Sequence, residues 1–470
     1  MPVTELPFGI IIDFSFWSTI LTLPTGEMVR VIFAIIGWVV LSLIFFFMGK
    51  ELWLNVRQNK YTSSWQWVVL AIDVPPDTIQ SPKAVEQIFA HFSGALFEPN
   101  FGQKYWDGVK QKWFSLEVIS LEGYIQFLIF TEDTYRDLVE AAIYAQYPMA
   151  EITEVEDYVG AIPSTYPNET HEMFGLEFGL AAPDPYPIRT YMEFEHNIAK
   201  DVSFHDPMAS ILENFTRIST GENLWFQIII EPVSGKWKAK GIDLIKKIIE
   251  NKKHTSEQFF LFKLMNSLFD GLLDAIRPPS EEGPAHKKED VVGKLSDLTP
   301  GVRDTVGAIE EKIAKIGFKT KCRVLYAAPK EIFNPSRCLD GFVGSLNQFD
   351  YAGRNAIIPV AATTAHYAFK NYRILEIKKK FVSAFKKRKI KIGGNPYILN
   401  IEELATLWHF PLPLVKTPLL QKTASKRAEP PINLPIEEMT ESPLRRKVKE
   451  EELPEAPEEQ EIPPSELPYA

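Results

Sequence analysis

A charge-free apolar run near the N-terminus gives the first predicted element, a membrane-spanning helix. Residues 31–48, VIFAIIGWVVLSLIFFFM, would form a helix of about 27 Å, close to the hydrocarbon thickness of a bilayer. We place the span at 28–48, after an extracytoplasmic or interfacial N-terminus over 1–27. A buried core helix is the alternative, and the lack of a polar face in the run weighs against it.

The charges on either side of this span predict its orientation. Glu5, Asp13 and Glu27 precede it with only Arg30 opposing them, whereas Lys50, Arg57 and Lys60 follow it. Positively charged flanks stay in the cytoplasm, so we expect the N-terminus outside and everything after Lys50 inside. Residues 8–23 are also apolar but contain Asp13 and lead into Pro24. We favour an interfacial segment there over a second, imperfect span.

After the span, the spacing of apolar residues predicts an α+β module over 63–160. Alternation indicates strands at 65–74 and 151–158, and a hairpin of strands 114–120 and 124–130. Helical spacing indicates one helix from Ser81 to Phe92 and another from Tyr135 to Ile143. The order β-α-β-β-α-β is that of a ferredoxin-like fold, with two helices on one face of an antiparallel sheet.

A second module of the same α+β type is predicted over 170–411. Its strands are indicated at 174–181, 188–195, 224–230 and 318–328, and its helices from Asp206, at 302–313 and at 339–349. A helical insertion occupies 240–300, in which 242–249 and 257–276 are predicted to be packed helices. The two modules suggest a degenerate duplication, although no residue-level repeat is visible.

The end of the chain has the composition of a disordered tail. Residues 412–435 are expected to form an extended linker, and Glu and Pro dominate 436–470 around a short basic run at 445–449. Such a segment has too little apolar surface to fold alone. The predicted fold class is therefore α+β: an N-terminal transmembrane helix, two ferredoxin-like modules and a disordered C-terminal tail.

Composition narrows the possible functions. Apolar residues make up 45% of the 470-residue chain and charged residues 24%, ordinary values for folded protein. The formal net charge of −10 argues against a general nucleic-acid binder, which needs clustered Lys and Arg. Cys322 and Cys338 have no CxxC partner. We expect buried free thiols in a reducing compartment rather than a disulfide or a zinc site.

One strong basic cluster stands out in this acidic chain, at 378–391. Its members are Lys378, Lys379, Lys380, Lys386, Lys387, Arg388, Lys389 and Lys391. Three interpretations stay open: a solvated helix face, contact with anionic lipid headgroups, or contact with nucleic-acid phosphates. The solvated helix face is the preferred one.

No pattern in the sequence predicts a catalytic, cofactor-binding or metal-binding residue. A phosphate loop, GxxxxGK[ST], does not occur, since the Gly-Lys pairs precede Glu51, Trp237 and Leu295. Asp206 follows His205, and we interpret it as a helix cap rather than a catalytic acid. We therefore expect a protein that is not an enzyme.

The segment around residue 400 contains acidic and aromatic residues with two interpretations each. Glu402 and Glu403 could form an acid pair, but the first turn of a helix is the better interpretation, because the helix dipole favours acidic side chains there. Trp408, His409 and Phe410 suit core packing and docking to a neighbouring domain equally well.

Taken in order, eight segments resemble one uncharacterised domain family. They are SPKAVEQIF (81–89), SLEVIS (115–120), YRDLVEAAIYAQYPMAEITEVEDY (135–158), YPIRTY (186–191), DPMASILE (206–213), GENLWFQIIIEP (221–232), IEEKIAKIGFKTKCRVLYAAPKEIF (309–333) and LNIEELATLWHFP (399–411). In that family the region precedes the motor domain of membrane-anchored, HerA/FtsK-related ATPases of the conjugation and type IV secretion class. Residues 399–435 resemble the stretch that leads into the motor, but no phosphate loop follows here.

The resemblance implies a non-catalytic scaffold in a bacterial inner membrane, part of a type IV secretion-like or conjugative DNA-transfer complex. Such a scaffold would dock a separate Walker-type ATPase, and by analogy with hexameric motors it would form homo-oligomers. Two alternatives remain: a non-hydrolysing half of a split ATPase, and an envelope- or lipid-binding membrane protein unrelated to DNA transfer.

Overall fold

The computed structural model of the chain describes residues 3–6, 10–13, 23–76, 78–166, 168–196, 203–204, 206–249, 299–365 and 369–412. The chain divides into two units, one of residues 1–66 with 97–111 and one of residues 67–96 with 112–470. The predicted helix at 257–276, the linker after Leu412 and the tail 436–470 lie outside the described residues.

The first unit is built on one long helix, α1 (Thr25–Thr62), which contains the predicted span 28–48. Its large apolar side chains, among them Phe33, Trp38 and Phe46, are exposed. Among the described residues, its Gly37–Thr62 part is the one helix long and apolar enough to cross a membrane. A hairpin of β1 (Val3–Leu6) and β2 (Ile10–Asp13) precedes α1, so the predicted interfacial segment 8–23 contains a strand.

The second unit is mixed α+β, as the sequence predicts. Its strands are β3 (Trp67–Asp73), β4 (Phe114–Leu121), β5 (Tyr124–Glu132), β6 (Glu151–Val155), β7 (His171–Leu180), β8 (Glu195–His196), β9 (Ser203–Phe204), β10 (Asn223–Pro232), β11 (Gly317–Pro329), β12 (Ile357–Ala362) and β13 (Tyr397–Asn400). Its helices are α2 (Pro82–Phe92), α3 (Arg136–Gln146), α4 (Pro207–Thr216), α5 (Lys238–Ile249), α6 (Pro300–Ala314), α7 (Ser336–Leu346), α8 (Lys370–Lys386) and α9 (Ile401–Leu407). All strands except the short pair β8 and β9 belong to one antiparallel sheet.

The first half of the sheet has the predicted ferredoxin-like arrangement. β3, α2, β4, β5, α3 and β6 follow one another along the chain, and the strands lie side by side in the order β4-β5-β3-β6. Pro82 begins α2, where its missing N–H costs no helical hydrogen bond. Glu122 and Gly123 both have positive φ, 54° and 96°, and form the tight turn between β4 and β5.

The second half repeats this topology. β7, α4, β10, β11, α7 and β12 follow in sequence, and their strands lie in the order β10-β11-β7-β12. In each half the neighbours are the second, third, first and fourth strands. The halves join edge to edge, because β4 pairs antiparallel with β10 from Phe114 opposite Ile230 to Leu121 opposite Asn223. The two predicted modules thus share one continuous sheet, and the suggested repeat exists in topology.

The predicted helical insertion lies between β10 and β11, where the first half has only a two-residue turn. Of its predicted helices the structure describes α5, which packs against α6, the helix predicted at 302–313. The two form a small core of their own from Trp237, Ile245, Val306, Ile309 and Ile313. A Cβ at Gly241 would lie 2.5 Å from the Ile313 side chain, so glycine allows the two helices to approach closely. The described ends of the segment between β10 and β11 are therefore a packed helical pair.

The sheet is covered on both faces. Helices α2, α3, α4, α7 and α9 cover one face, with Phe89, Ile143 and Phe342 in its core. On the opposite face α8 places Val382 and Phe385 against Trp225. Strands covered on both faces are nearly continuous apolar runs, which explains why β10 and β11 are recognisable in the sequence.

One predicted strand, 188–195, is wrong. Residues 188–190 are irregular, Tyr191–Phe194 form a 3-10 turn, and Glu195 begins the short strand β8. The N–H groups of Ile188 and Tyr191 donate to Glu403 Oε1 and Thr406 Oγ1, both at 2.9 Å. Side-chain acceptors on α9 therefore take the hydrogen bonds that a neighbouring strand would have accepted.

Candidate functional site

Four polar side chains cross the middle of the sheet in one line, which we call the polar row: Glu117 on β4, Gln227 on β10, Arg323 on β11 and Glu177 on β7. The strand registers place Glu117 opposite Gln227, Gln227 opposite Arg323, and Arg323 opposite Glu177. None of the four is more than 3% exposed. Burying a charge costs free energy of folding unless the charge is paired and hydrogen-bonded. The role of the polar row therefore depends on which groups pair with its charged members.

Arg388 pairs with the carboxylate at one end of the polar row. Its Nε and Nη2 atoms donate to Glu117 Oε1 (3.0 Å) and Oε2 (3.1 Å), a bidentate pair. The guanidinium also donates to Asp157 (Nη2 to Oδ1, 2.9 Å) and lies 4.0 Å from the Phe130 ring centre. Gln227 Nε2 donates to the same Glu117 Oε1 at 2.9 Å. The Glu117 charge is thus fully compensated inside the protein.

Glu177 pairs with two cations at the other end of the row. Arg323 Nε donates to Glu177 Oε2 at 3.1 Å, and Lys321 Nζ lies 3.2 Å from Glu177 Oε1. Lys321 Nζ also donates to the carbonyls of Ile392 (2.8 Å) and Gly394 (2.6 Å), and Arg323 donates to Ile392 O as well. One carboxylate cannot accept hydrogen bonds from every N–H group of two cations. The carbonyl oxygens of Ile392 and Gly394 accept from N–H groups that Glu177 leaves without a partner.

One stretch of chain, residues 384–394, supplies most of these partners, and we call it the closing segment. It consists of the last turn of α8 and the loop that follows. Gly394 N donates to Glu177 Oε1 at 2.5 Å. Gly393 has a φ of 97°, and a Cβ there would lie 2.2 Å from Glu177 Oε2. Glycine is therefore required where the backbone of the closing segment meets the row.

Burial and pairing set the protonation of groups around Glu117. Burial would lower the pKa of Arg388, but the charges of Glu117 and Asp157 outweigh burial and hold that pKa well above its ordinary value. Burial, together with the Glu117 charge, raises the pKa of the Tyr158 phenol well above its ordinary value. Both groups keep their protons at neutral pH, which suits a structural role better than proton transfer.

The predicted basic cluster divides into internal and exposed members. Arg388 is 1% exposed and belongs to the polar row. Lys378 Nζ donates to Glu172 (2.6 Å), and Lys386 Nζ donates to Ile162 O (2.7 Å) and Ser164 Oγ (2.9 Å). The exposed members are Lys379, Lys380, Lys387, Lys389 and Lys391. Arg388 is therefore not accessible to phosphates or lipid headgroups. The exposure of the five lysines is compatible with all three interpretations.

Asp206 is a helix cap, as predicted. Its Oδ1 accepts from Met208 N at 2.8 Å, and its Oδ2 accepts from Leu412 N at 2.9 Å. His409 Nε2 lies 2.9 Å from Asp206 Oδ1, and His409 Nδ1 lies 2.7 Å from Ala405 O. Burial would raise the pKa of Asp206, but His409 and the backbone donors outweigh burial and lower it. His205, its predicted companion, lies outside the described residues.

Glu402 and Glu403 lie in the first turn of α9, as predicted. Asn400 and Glu403 form a capping box, in which each side chain accepts from the other residue's backbone N–H. Glu403 Oε1 also lies 3.0 Å from Lys312 Nζ, and both side chains are fully buried. Glu403 thereby holds α9 in place, and Glu402 pairs with Lys315.

Trp408, His409 and Phe410 pack into the core of the described chain. Trp408 is fully buried, with its ring 5.7 Å from that of Phe127 and 6.2 Å from that of Phe89. The Phe410 ring lies 5.0 Å from the Tyr147 ring. The docking hypothesis for this segment is wrong because its aromatic rings already bind the first half of the sheet.

Both cysteines are free and buried, as expected. Burial raises the pKa of Cys322 to about 12, so its thiol stays protonated and is a weak nucleophile. Burial likewise raises the pKa of Cys338, although Arg337 opposes it. Among the described residues no cluster of three or more His, Cys, Asp or Glu side chains has the arrangement to hold a metal ion.

The polar row was missed in the sequence although a signal for it exists. Each member lies directly between two apolar residues of its strand, as in SLEVIS around Glu117, LWFQIII around Gln227 and FGLEFGL around Glu177. A polar residue in the middle of a strand buried on both faces needs an internal partner. Sequence pattern marks such positions, but it does not say which of them meet.

Residues 110–422 match a family described as a domain of unknown function, DUF8128. The match covers more than half of the chain. The protein belongs to this family. A comparison with curated proteins gave no match. The DUF8128 region begins just before β4 and ends beyond α9, so it contains the whole polar row and the closing segment, whereas β3 and α2 precede it.

Proposed function

We propose that this protein is a non-catalytic, membrane-anchored scaffold that holds a separate motor ATPase at the cytoplasmic face of a bacterial inner membrane. The observation that carries the proposal is the exposure of the apolar residues of α1. In its most apolar 18-residue window only 6% of the helix is buried inside the protein, which suits a helix whose surroundings are lipid. The charge difference across its ends favours an external N-terminus, with the DUF8128 region in the cytoplasm.

The buried carboxylates in the described part of the chain all have structural partners, and this supports a scaffold role for the protein. Glu117 and Glu177 balance cations in the sheet, Glu403 caps α9 and pairs with Lys312, and Asp206 caps α4. Each carboxylate is thus committed to holding two chain segments together. Networks of this kind favour a single rigid arrangement of the backbone, as a platform for a partner requires.

The identity of the partner rests on the resemblance of the ordered segments to the region that precedes conjugation-type motors. The sequence contains no GxxxxGK[ST] motif, so the proposal assigns ATP hydrolysis to another chain. The system would be a type IV secretion-like or conjugative DNA-transfer complex, with copies of this protein arranged around the motor.

Purification of the full-length protein from native membranes in mild detergent tests this proposal. We expect a Walker-type ATPase to co-purify, identified by mass spectrometry. A matched control replaces Val39 and Leu43 in the apolar helix by Arg, which should prevent membrane integration and release the ATPase from the membrane fraction. A protein that purifies without any ATPase contradicts the scaffold.

Steady-state ATPase assays separate the scaffold from a split enzyme. Adding the protein to its partner should change the membrane recruitment of the ATPase and leave its turnover per active site unchanged. A large rise in turnover would instead support a non-hydrolysing half of a split ATPase. Binding to anionic vesicles with no ATPase in the complex would support the lipid-binding alternative.

A further inference from the structure

A loop in the first unit exposes large aromatic side chains beside α1. Residues 97–111, which we call the aromatic loop, return to the helix between α2 and β4. Phe101 is 74% exposed and Trp106 is 64% exposed. The Phe101 ring lies 4.7 Å from the Tyr105 ring, so the loop presents an aromatic surface rather than a single side chain.

The aromatic loop is fixed to α1 by specific contacts. Trp53 Nε1 donates to Tyr105 O at 2.8 Å, and Arg57 Nε donates to Trp106 O at 2.5 Å. Gly108 has a φ of 74°, and a Cβ there would lie 2.4 Å from the Arg57 carbonyl group. The missing side chain thus allows the loop backbone to lie directly on the helix. The exposed rings are therefore held at a defined level along α1.

That level lies where the headgroup region of a bilayer crossed by α1 meets the surrounding water. Trp53 and Arg57 follow Met48, the end of the charge-free run, by five and nine residues. At 1.5 Å per residue they lie about 8 and about 14 Å beyond it. The headgroup layer begins where the hydrocarbon ends and is about 5–8 Å thick on each side. Trp53 therefore lies at the outer edge of the headgroup layer, and Arg57 lies about 6 Å beyond it. Rings held at this level reach the headgroups only if they extend back along α1 toward Met48.

We propose that the aromatic loop is a second membrane contact, in which Phe101 and Trp106 insert into the phospholipid headgroup region of the leaflet nearest to Lys50. The inference rests on the membrane span proposed above. Aromatic side chains concentrate at this depth because a ring is apolar while the adjoining backbone or indole N–H remains hydrated. On this part of α1 and the loop, five basic residues outnumber three acidic ones, and the net positive charge suits anionic headgroups. The basic residues are Lys50, Arg57, Lys60, Lys104 and Lys110, and the acidic ones are Glu51, Glu98 and Asp107.

The contact gives the bilayer two points of attachment on the first unit. A helix alone can rotate about its axis, but a helix with a side loop in the interface has one face fixed toward the loop. The aromatic loop would thus set the rotation of α1 and keep Trp53 and Arg57 at the membrane surface.

Nitroxide labelling of the full-length protein in nanodiscs of phosphatidylethanolamine and phosphatidylglycerol tests the contact. Cysteine is introduced by Phe101→Cys or Trp106→Cys, and collision rates with lipid-soluble oxygen and a water-soluble nickel complex are measured by electron paramagnetic resonance. Phe33→Cys in the apolar run is the lipid reference, and Ser64→Cys just after α1 is the aqueous reference. Cys322 and Cys338 are buried, and the unsubstituted protein controls for their labelling.

We expect the ratio of oxygen to nickel collisions at positions 101 and 106 to exceed that at Ser64→Cys at least threefold. A ratio equal to that at Ser64→Cys, with a high ratio at Phe33→Cys, overturns the aromatic-loop contact and leaves the span intact. A low ratio at Phe33→Cys overturns the span itself, and the loop proposal with it. The Phe101→Ser variant labelled at position 106 should show a reduced ratio if the two rings insert together.

Discussion

At the scale of single residues, Arg388 connects more of the second unit than any neighbour in the closing segment. It belongs to the loop after α8, yet its guanidinium pairs with Glu117 of β4 and Asp157 after β6. It also lies over the Phe130 ring of β5. A buried guanidinium costs several kcal/mol in lost hydration, which two carboxylates and an aromatic face offset. Removing it leaves Glu117 buried without its main partner.

Arg388→Met should therefore destabilise the protein by about 3–5 kcal/mol, the range for breaking a buried ion pair. Lys389→Met is the matched control, since Lys389 is the exposed next residue and its loss should change stability by less than about 0.5 kcal/mol. Denaturant unfolding of the full-length protein in detergent, followed by tryptophan fluorescence, measures both. Equal midpoints for the two variants would show that the pair carries no net stability.

Asp206 makes stability depend on acid pH. Its pKa in the folded state is lowered below the ordinary 3.8, so its contribution is present above that value and is lost as pH falls through the folded pKa. Asp206→Asn should cost about 1–3 kcal/mol at pH 7, and the difference from the natural protein should shrink below about pH 4. Unfolding midpoints at pH 7 and pH 3 measure this change.

Glu213→Gln is the control for that pH series. Glu213 is exposed and lies 3.9 Å from Arg217, so its replacement should cost less than about 1 kcal/mol at either pH. A gap between Asp206→Asn and the natural protein that stays constant from pH 7 to pH 3 would contradict the assigned role of the carboxylate.

At the scale of elements, two C-terminal pieces hold the halves of the sheet together from opposite faces. The closing segment lies over the polar row on one face. On the other face α9, which follows β13 in the second half, packs against α2 of the first half through Trp408. Neither element belongs to a ferredoxin-like half. They act as crosslinks that the repeated topology itself does not provide.

Gly393→Ala should show how closely the closing segment must approach the row. The left-handed backbone alone costs an alanine about 1–2 kcal/mol, and displacing Glu177 from Lys321 and Arg323 should add several more. Gly353→Ala is the matched control, because Gly353 has a φ of 79° but open space around it. Unfolding free energies of the two variants give the difference directly, and a similar loss in both would show that contact with Glu177 is unimportant.

At the scale of the whole second unit, one sheet formed from two halves predicts one unfolding transition. β4 and β10 are paired over eight positions, and both are buried on both faces. Hydrogen–deuterium exchange of the full-length protein should show β5 and β11 losing protection at the same denaturant concentration. Protection that persists in β11 after β5 has opened would mean that the halves fold separately.

A fragment limited to residues 63–160 should not fold stably for the same reason. Its β4 edge would be uncovered, and Glu117 would lack both Gln227 and Arg388. Circular dichroism with a cooperative melt of that fragment would contradict this expectation.

The sequence predicts the local elements better than their assembly. Helix starts at Ser81-Pro82 and Asp206 and the turn at Glu122-Gly123 follow from capping and backbone chemistry, which act within a few residues. The pairing of β4 with β10 joins residues about a hundred positions apart, and apolar alternation carries no information on such partners. The basic cluster also shows that sequence does not reveal which residues are buried. Arg388 and Lys389 are adjacent basic residues, but Arg388 is buried and Lys389 is exposed.

The two edge strands of the sheet affect whether copies of this chain can associate by strand pairing. β12 contains Pro359, which lacks an N–H, and its register shifts between Pro359 and Ala361. β6, at the other end, carries Glu151 and Glu154, the latter paired with Arg136 at 2.8 Å. Prolines, bulges and charges at sheet borders hinder the addition of a foreign strand. Self-association through continued strand pairing is thereby disfavoured, and copies arranged in a ring would meet through helices or loops.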